Sequence, residues 1–216
     1  MLIIEKALKQ LRENLHAMTE VVIDMLEMVV VSLDKGNLED LENIFKQDKY
    51  LDQLEKSLDR QSMELLALIN PHASDLRFVF SVIKTNGNLE RMGDEMKNVA
   101  REAKNLKGKI PDELKELARL VFEMSKKTFL ALAQSDAKLS MNIILEDDTI
   151  DTLEYNIVTK YPQLDIALTA KALERIADHA TNIAESIIYS VEGVDVRHEN
   201  TIKQRAFEKE YTSPLP

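Results

Sequence analysis

The sequence predicts an all-α protein: six long antiparallel helices forming two tandem three-helix bundles related by an internal repeat. Three observations carry this. Only 5 Gly and 5 Pro punctuate 216 residues, which favours a few long elements over many short strands joined by turns. Apolar residues recur at three- and four-residue steps over long stretches, the period of a helix with one buried face. The segment Leu89-Glu90-Arg91-Met92-Gly93-Asp94-Glu95-Met96-Lys97-Asn98-Val99-Ala100 also recurs as Leu173-Glu174-Arg175-Ile176-Ala177-Asp178-His179-Ala180-Thr181-Asn182-Ile183-Ala184, and internal repeats decide architecture.

The first helix covers about residues 3 to 34, with Leu8, Leu11, Leu15, Met18, Val22, Met25 and Val29 on one face. Gly36-Asn37 closes it, because Gly readily takes the left-handed conformation after a last turn. The second helix starts near Asn37 and reaches about Ile69, with Leu41, Ile44, Tyr50 or Leu51, Leu54, Leu58 and Leu65 as its stripe. Asn70-Pro71 ends it and opens the third, since Asn can cap and Pro suits the first helical position. The third carries Leu76, Phe78 or Val79, Val82, Ile83, Leu89, Met92, Met96 and Val99, and Lys107-Gly108-Lys109-Ile110-Pro111 is the clearest linker. The fourth helix spans Asp112 to about Gln134, with Leu117, Leu120, Val121, Met124 and Leu132 as its core face. Ser135-Asp136 is a short turn. The fifth helix reaches about Tyr161, where Pro162 interrupts, and the sixth runs to Val191 before Gly193. The domain division is 1–107, 108–193 and a polar tail, 194–216, whose last part is expected to be poorly ordered.

The repeat is wider than the motif. At a shift of 99 positions Val22-Ile23-Asp24-Met25 falls on Val121-Phe122-Glu123-Met124, and Leu51-Asp52-Gln53-Leu54-Glu55 on Ile150-Asp151-Thr152-Leu153-Glu154. By the motif the shift is 84. The loss is balanced: 16 residues from Glu55 to Pro71 become 8 from Glu154 to Pro162, and 19 from Pro71 to Glu90 become 12 from Pro162 to Glu174. Each arm of the second hairpin is thus about two helical turns shorter, which keeps the core faces in phase.

Composition excludes several functions. There is no Cys, so disulfides and thiolate metal sites are ruled out and any metal must be held by carboxylates or His. A net charge of -10 disfavours nucleic-acid binding, which needs clustered Lys and Arg, and suits cations or basic protein surfaces. The start of the chain lacks the pattern of a secretory signal. Apolar runs such as Met28-Val29-Val30-Val31 are far short of the ~20 residues of a membrane span. A cytoplasmic location is the expectation.

Chemistry is suggested by acids spaced four apart: Asp48 and Asp52, Glu90 and Asp94, and at the aligned positions Asp147 and Asp151, Glu174 and Asp178. On a helix such positions share a face, and like charges there cost roughly 0.2–0.5 kcal/mol per pair. A bound cation would reverse that cost. Oxygen ligands suit Mg, Ca, Mn or iron better than zinc. Acids at this spacing are also common on solvated faces, and duplication copies a solvated face as readily as a ligand set.

Other candidates are weaker. Dimetal carboxylate enzymes of the ferritin type need Glu-x-x-His from two helices, and only Glu13 to His16 fits. His179 follows Asp178 and is a candidate ligand or outer-shell partner, but its repeat equivalent is Glu95, which favours an ordinary exposed side chain. His72 reads as a turn residue and His198 lies in the tail. Neither a Gly-rich phosphate loop nor a Ser-His-Asp set is present. The nine Met mostly fall on core stripes and read as packing.

The paired Leu-Glu-Arg-(Met/Ile)-(Gly/Ala)-Asp segments followed by Asn-(Val/Ile)-Ala resemble the PhoU family. Pro71-His72-Ala73-Ser74-Asp75-Leu76-Arg77 and Ile188-Tyr189-Ser190-Val191-Glu192-Gly193 carry the same resemblance, which covers about residues 5 to 195. It implies a regulator of phosphate signalling rather than an enzyme. Such a protein links the ATPase subunit of the phosphate ABC transporter to a sensor histidine kinase and damps the starvation response. The resemblance also implies a homodimer, contact with the membrane only through partners, and metal clusters on the acid-x-x-x-Asp motifs. Those would use Asp48, Asp52, Glu90 and Asp94 in one bundle and Asp147, Asp151, Glu174 and Asp178 in the other. Two departures stand out: Ala177 where the family usually has Gly, and the clipped second hairpin. The alternatives are a carboxylate-bridged metalloenzyme and a purely structural helical scaffold.

Overall fold

In the computed structural model, which describes residues 2–68, 73–106 and 109–197, six α-helices carry the architecture. They are α1 (Leu2–Lys35), α2 (Ile44–Leu68), α3 (Ala73–Ala103), α4 (Asp112–Gln134), α5 (Ala137–Lys160) and α6 (Leu164–Glu192). Helices α1–α3 form the first bundle and α4–α6 the second. The bundles lie side by side, joined mainly by α3 on α6 and also by α1 on α4.

The helices end where local chemistry dictates. Gly36 and Gly193 have positive φ, closing α1 and α6. Ser135 adopts the left-handed conformation after α4, and the Asp136 side chain accepts a hydrogen bond from the Leu139 amide, 2.9 Å, to cap α5. The second helix begins later than periodicity suggests. Leu38–Asn43 is a 3₁₀ helix, and α2 proper starts at Ile44. Leu38 and Leu41 stand three apart, the repeat of a 3₁₀ turn, and Leu41 is fully buried. Asp40 and Asn43 in the same stretch are weak helix formers. Asn70-Pro71, the Lys107-Gly108 step and the tail beyond Arg197 lie outside the described residues.

One core runs through both bundles. Leu11, Leu15, Met18, Val22, Met25 and Val29 form the predicted inner face of α1, although Leu8 is only partly covered. Of the two ambiguous positions, Leu51 is buried while Tyr50 is exposed. Val79 is buried while Phe78 packs under the Arg12 guanidinium, 4.3 Å from its ring centre. The inner faces of α6 carry Ala170, Ala172, Ala177, Ala180 and Ala184, all buried. These small side chains let α6 pack against α3, α4 and α5 together. Asn86 ties α3 to α2 by donating to the Glu55 carbonyl (3.0 Å) and to Asp59 Oδ1 (2.8 Å). Ser81 Oγ donates to the Ser186 carbonyl across the seam between bundles, 3.0 Å. Among the described residues no helix is long and apolar enough to cross a membrane.

Candidate functional site

In the second bundle, α5 and α6 bring Asp147, Asp151 and Asp178 together, with one oxygen of each within 4.8 Å of the others. Asp147 and Asp151 share a face one turn apart on α5, and Asp178 projects from the facing α6. Two oxygens bound to one hard cation at about 2.0–2.6 Å lie no more than about 5 Å apart, so the spacing fits a divalent ion. Burial, with the charges of Asp151 and Asp178, pushes the Asp147 carboxyl up to about 6. Burial, with the charges of Glu174 and Asp151, does the same to Asp178, also to about 6, although Asp178 keeps a solvent-open flank. The cluster thus holds protons more tightly than ordinary aspartates do, because burial first and mutual repulsion second disfavour the charged forms.

Two buried oxygens strengthen the fit. Asp147 Oδ1 and the neighbouring Thr181 Oγ1 both lack a well-formed hydrogen bond, although the hydroxyl is close enough to lower the Asp147 pKa slightly. Buried polar atoms are normally satisfied, and a cation held by Asp147, Asp151 and Asp178 would satisfy them directly or through its water. Glu174 stands apart from this set. Its Oε1 accepts from Lys171 Nζ at 2.7 Å, while its Oε2 is buried without a partner.

The equivalent acids of the first bundle are arranged differently. Lys97 Nζ lies 2.7 Å from Asp48 Oδ2 and 2.6 Å from Asp94 Oδ1, so an ammonium bridges the two helices where the second bundle has three carboxylates. Burial alone would lower the Lys97 pKa, but its hydrogen bonds to Asp48 and Asp94 raise it. For buried Asp48 the cost of burial outweighs the lysine and its pKa is raised. Glu90 sits one turn away, its pKa raised by burial and by Asp94, Glu55 and Asp52. Lys97 aligns in the repeat with Thr181. That single difference puts a built-in cation in one bundle and an uncharged hydroxyl in the other.

Backbone approach differs as well. A Cβ on Gly93 would lie 2.5 Å from Leu51 Cδ2 and 3.4 Å from Asp48 Oδ1, so glycine is what lets α2 come this close to α3. Its counterpart Ala177 is fully buried, and the second bundle accommodates the methyl group. Gly93→Ala should lose about 1 kcal/mol in a urea titration. Overpacking a filled core costs roughly 1–3 kcal/mol, and the better helix former returns about 1. A rise in stability would mean that Leu51 swings aside freely.

His179 departs from its reading as an exposed side chain. It is half-buried in the seam between bundles, with Nδ1 3.1 Å from Asn88 Oδ1. It helps line a cleft of about 610 Å³ between α3 and α6, with Arg91, Asp94, Glu95, Arg175 and Asp178. The sequence did hold a signal for both missed features: the aligned pairs Lys97 with Thr181 and Glu95 with His179 are the places where the two motif copies change charge.

Comparison with known proteins agrees with this architecture. The family model described as the PhoU domain matches residues 15–103 and again 114–187, one copy in each bundle. The phosphate-specific transport system accessory protein PhoU homolog of Pseudomonas aeruginosa is 35% identical over 211 residues, covering 88% of this chain and 86% of its own. The protein of the same name from Aquifex aeolicus is 32% identical, covering 93% and 97%. Among solved structures, the phosphate transport system regulatory protein PhoU from Streptococcus pneumoniae superposes with a TM-score of 0.82 at 26% identity, covering 89% of this chain and 99% of that one. PhoU from Pseudomonas aeruginosa superposes with a TM-score of 0.81 at 31% identity, covering 88% and 99%.

Proposed function

The chain belongs to the PhoU family, and from that premise we propose that it is a negative regulator of high-affinity phosphate uptake and of the phosphate-starvation response. It is a regulatory accessory protein, not an enzyme, in keeping with the names of its relatives. It works in the cytoplasm as a homodimer, through contacts with the ATPase subunit of a phosphate ABC transporter and with a sensor histidine kinase. The observation that carries this reading is the match of both bundles to one family of phosphate-transport regulators. Deleting the gene tests it. Phosphate uptake and starvation genes should then stay on when phosphate is ample, and a strain that still shuts them off normally overturns the reading.

The same reading includes one cation per chain, held in the second bundle by Asp147, Asp151 and Asp178. What supports it is the spacing of those oxygens together with the unsatisfied Asp147 and Thr181 atoms beside them. A bound divalent ion or iron would offset the mutual repulsion of the three carboxylates and draw α5 onto α6, so occupancy would alter the surface that the shortened hairpin presents to partners. Elemental analysis of the purified protein should find about one metal per chain by this ligand count, lost in Asp178→Ala. Two metals per chain, or the same content in the variant, would refute the single-site assignment.

A further inference from the structure

The two motif copies face each other across the α3–α6 seam, and the repeat pairs Arg91 with Arg175 and Glu95 with His179. Only half of that symmetry survives in the charges. Arg175 Nη1 lies 3.4 Å from Glu95 Oε1, so this guanidinium faces a carboxylate. The matching partner of Arg91 is His179, whose ring is turned to Asn88. An imidazole here replaces the carboxylate that Glu95 supplies to Arg175. Exposed Arg91 makes no hydrogen bond or ion pair among the described residues. Duplication has left one guanidinium in the cleft without its acid.

The geometry points to a binding site for inorganic phosphate in this cleft, anchored on Arg91 and bordered by Arg175, with Asp94 and Asp178 accepting hydrogen bonds from the phosphate O–H. A guanidinium presents a planar fork of donors that matches an oxyanion. Carboxylates on the same lining select which oxyanion. Sulfate at neutral pH has only lone pairs to turn toward Asp94 and Asp178, whereas phosphate keeps at least one proton to donate to a carboxylate. The cleft, at about 610 Å³, holds phosphate together with water. Its lining has no Phe, Tyr or Trp on which a nucleobase would stack. Asp178 also belongs to the carboxylate cluster of the second bundle, so a cation there removes negative charge from the cleft and strengthens anion binding. This inference rests on the phosphate-regulatory reading and adds direct sensing of the anion to it.

Isothermal titration of the full chain at pH 7 with inorganic phosphate, in EDTA and again in Mg²⁺, tests the site. Saturable binding is expected in at least one condition, with sulfate at least about tenfold weaker and ADP no tighter than phosphate. Arg91→Ala, at an exposed position, should weaken phosphate about tenfold or more while keeping the wild-type unfolding transition. His179→Glu, which restores the acid of the other copy, should do the same by neutralising Arg91. Absence of saturable phosphate binding in both conditions overturns the inference, as does equal affinity for sulfate or an unchanged Arg91→Ala. Tighter ADP binding would assign the cleft to nucleotides instead. A chain that fails here yet still represses in the deletion–complementation strain loses only the sensing site, and the regulatory reading stands.

Discussion

Exchanging Lys97 and Thr181 should move the cation site from the second bundle to the first. In Thr181→Lys an ammonium reaches the Asp147–Asp151–Asp178 cluster and competes with metal, so Mn²⁺ affinity should fall about 100-fold in a direct titration. Lys97→Thr removes the ammonium that now contacts Asp48 at 2.7 Å and Asp94 at 2.6 Å. Asp48 is only 6% exposed. Stripping one partner from a buried ion pair costs about 3 kcal/mol, because the remaining charge stays desolvated. That loss should appear in urea unfolding with EDTA present. Much of it should return when Mn²⁺ is added, since a ligand at 100 times its Kd contributes about 2.7 kcal/mol. Thr181→Lys binding Mn²⁺ as tightly as the parent would exclude the three-carboxylate cluster as the cation site.

The metal-free protein should become more stable as pH falls from 7 toward 4.5. Asp147 and Asp178 have folded pKa values of about 6 against an ordinary 3.8. Between those limits the folded chain retains protons that the unfolded chain has released. Stability rises with pH only where the unfolded state binds more protons, so here it declines across this window. Below the ordinary value both states are protonated and the contribution is flat; above about 6 the full penalty is present. A shift of this size on an isolated buried carboxyl would correspond to nearly 3 kcal/mol. Asp178 is solvent-open on one side and the two groups share their mutual repulsion, so about 2 kcal/mol for the pair is the expected size. Burial also raises Asp48, Glu55, Glu90 and Glu154, which adds to the same trend, whereas His179, whose pKa burial lowers from 6.5, opposes it because the unfolded imidazole takes up a proton first. Divalent cation should reverse it, because metal and protons compete for the same oxygens and metal wins at higher pH. Unfolding midpoints at pH 4.5 and 7, in EDTA and in Mn²⁺, read the effect directly, and Asp147→Asn should flatten the EDTA profile. A metal-free midpoint that drops steadily on acidification, with Asp147→Asn unchanged, would contradict the cluster's electrostatics.

Much of the fold is legible in the chain because helix signals are local. Heptad-like spacing on α1, the Gly36 and Gly193 stops and the Asp136 cap each act within a turn or two of sequence. The second helix shows the limit of such reading: an apolar stripe with residues three and four apart does not distinguish Leu38–Asn43 as 3₁₀ from α. The repeat was legible too, and with it the helices that carry the acidic pairs. Seen as a stripe of acids, however, the eight carboxylates look equivalent. They are not, because one more side chain from the facing helix enters each set.

Six helices, their duplication and the acidic faces follow from the chain alone, since periodicity, caps and turns are properties of neighbouring residues. Packing between helices is what makes Asp147, Asp151 and Asp178 converge, sets Lys97 between their counterparts, and turns Arg91 toward a histidine across the seam. Those outcomes depend on how closely two helices approach, which Gly93 and Ala177 control, and on which charge the opposite helix brings within hydrogen-bonding distance. Coulomb and desolvation energies change by kilocalories over a few ångströms, a distance that residue spacing along one helix does not specify.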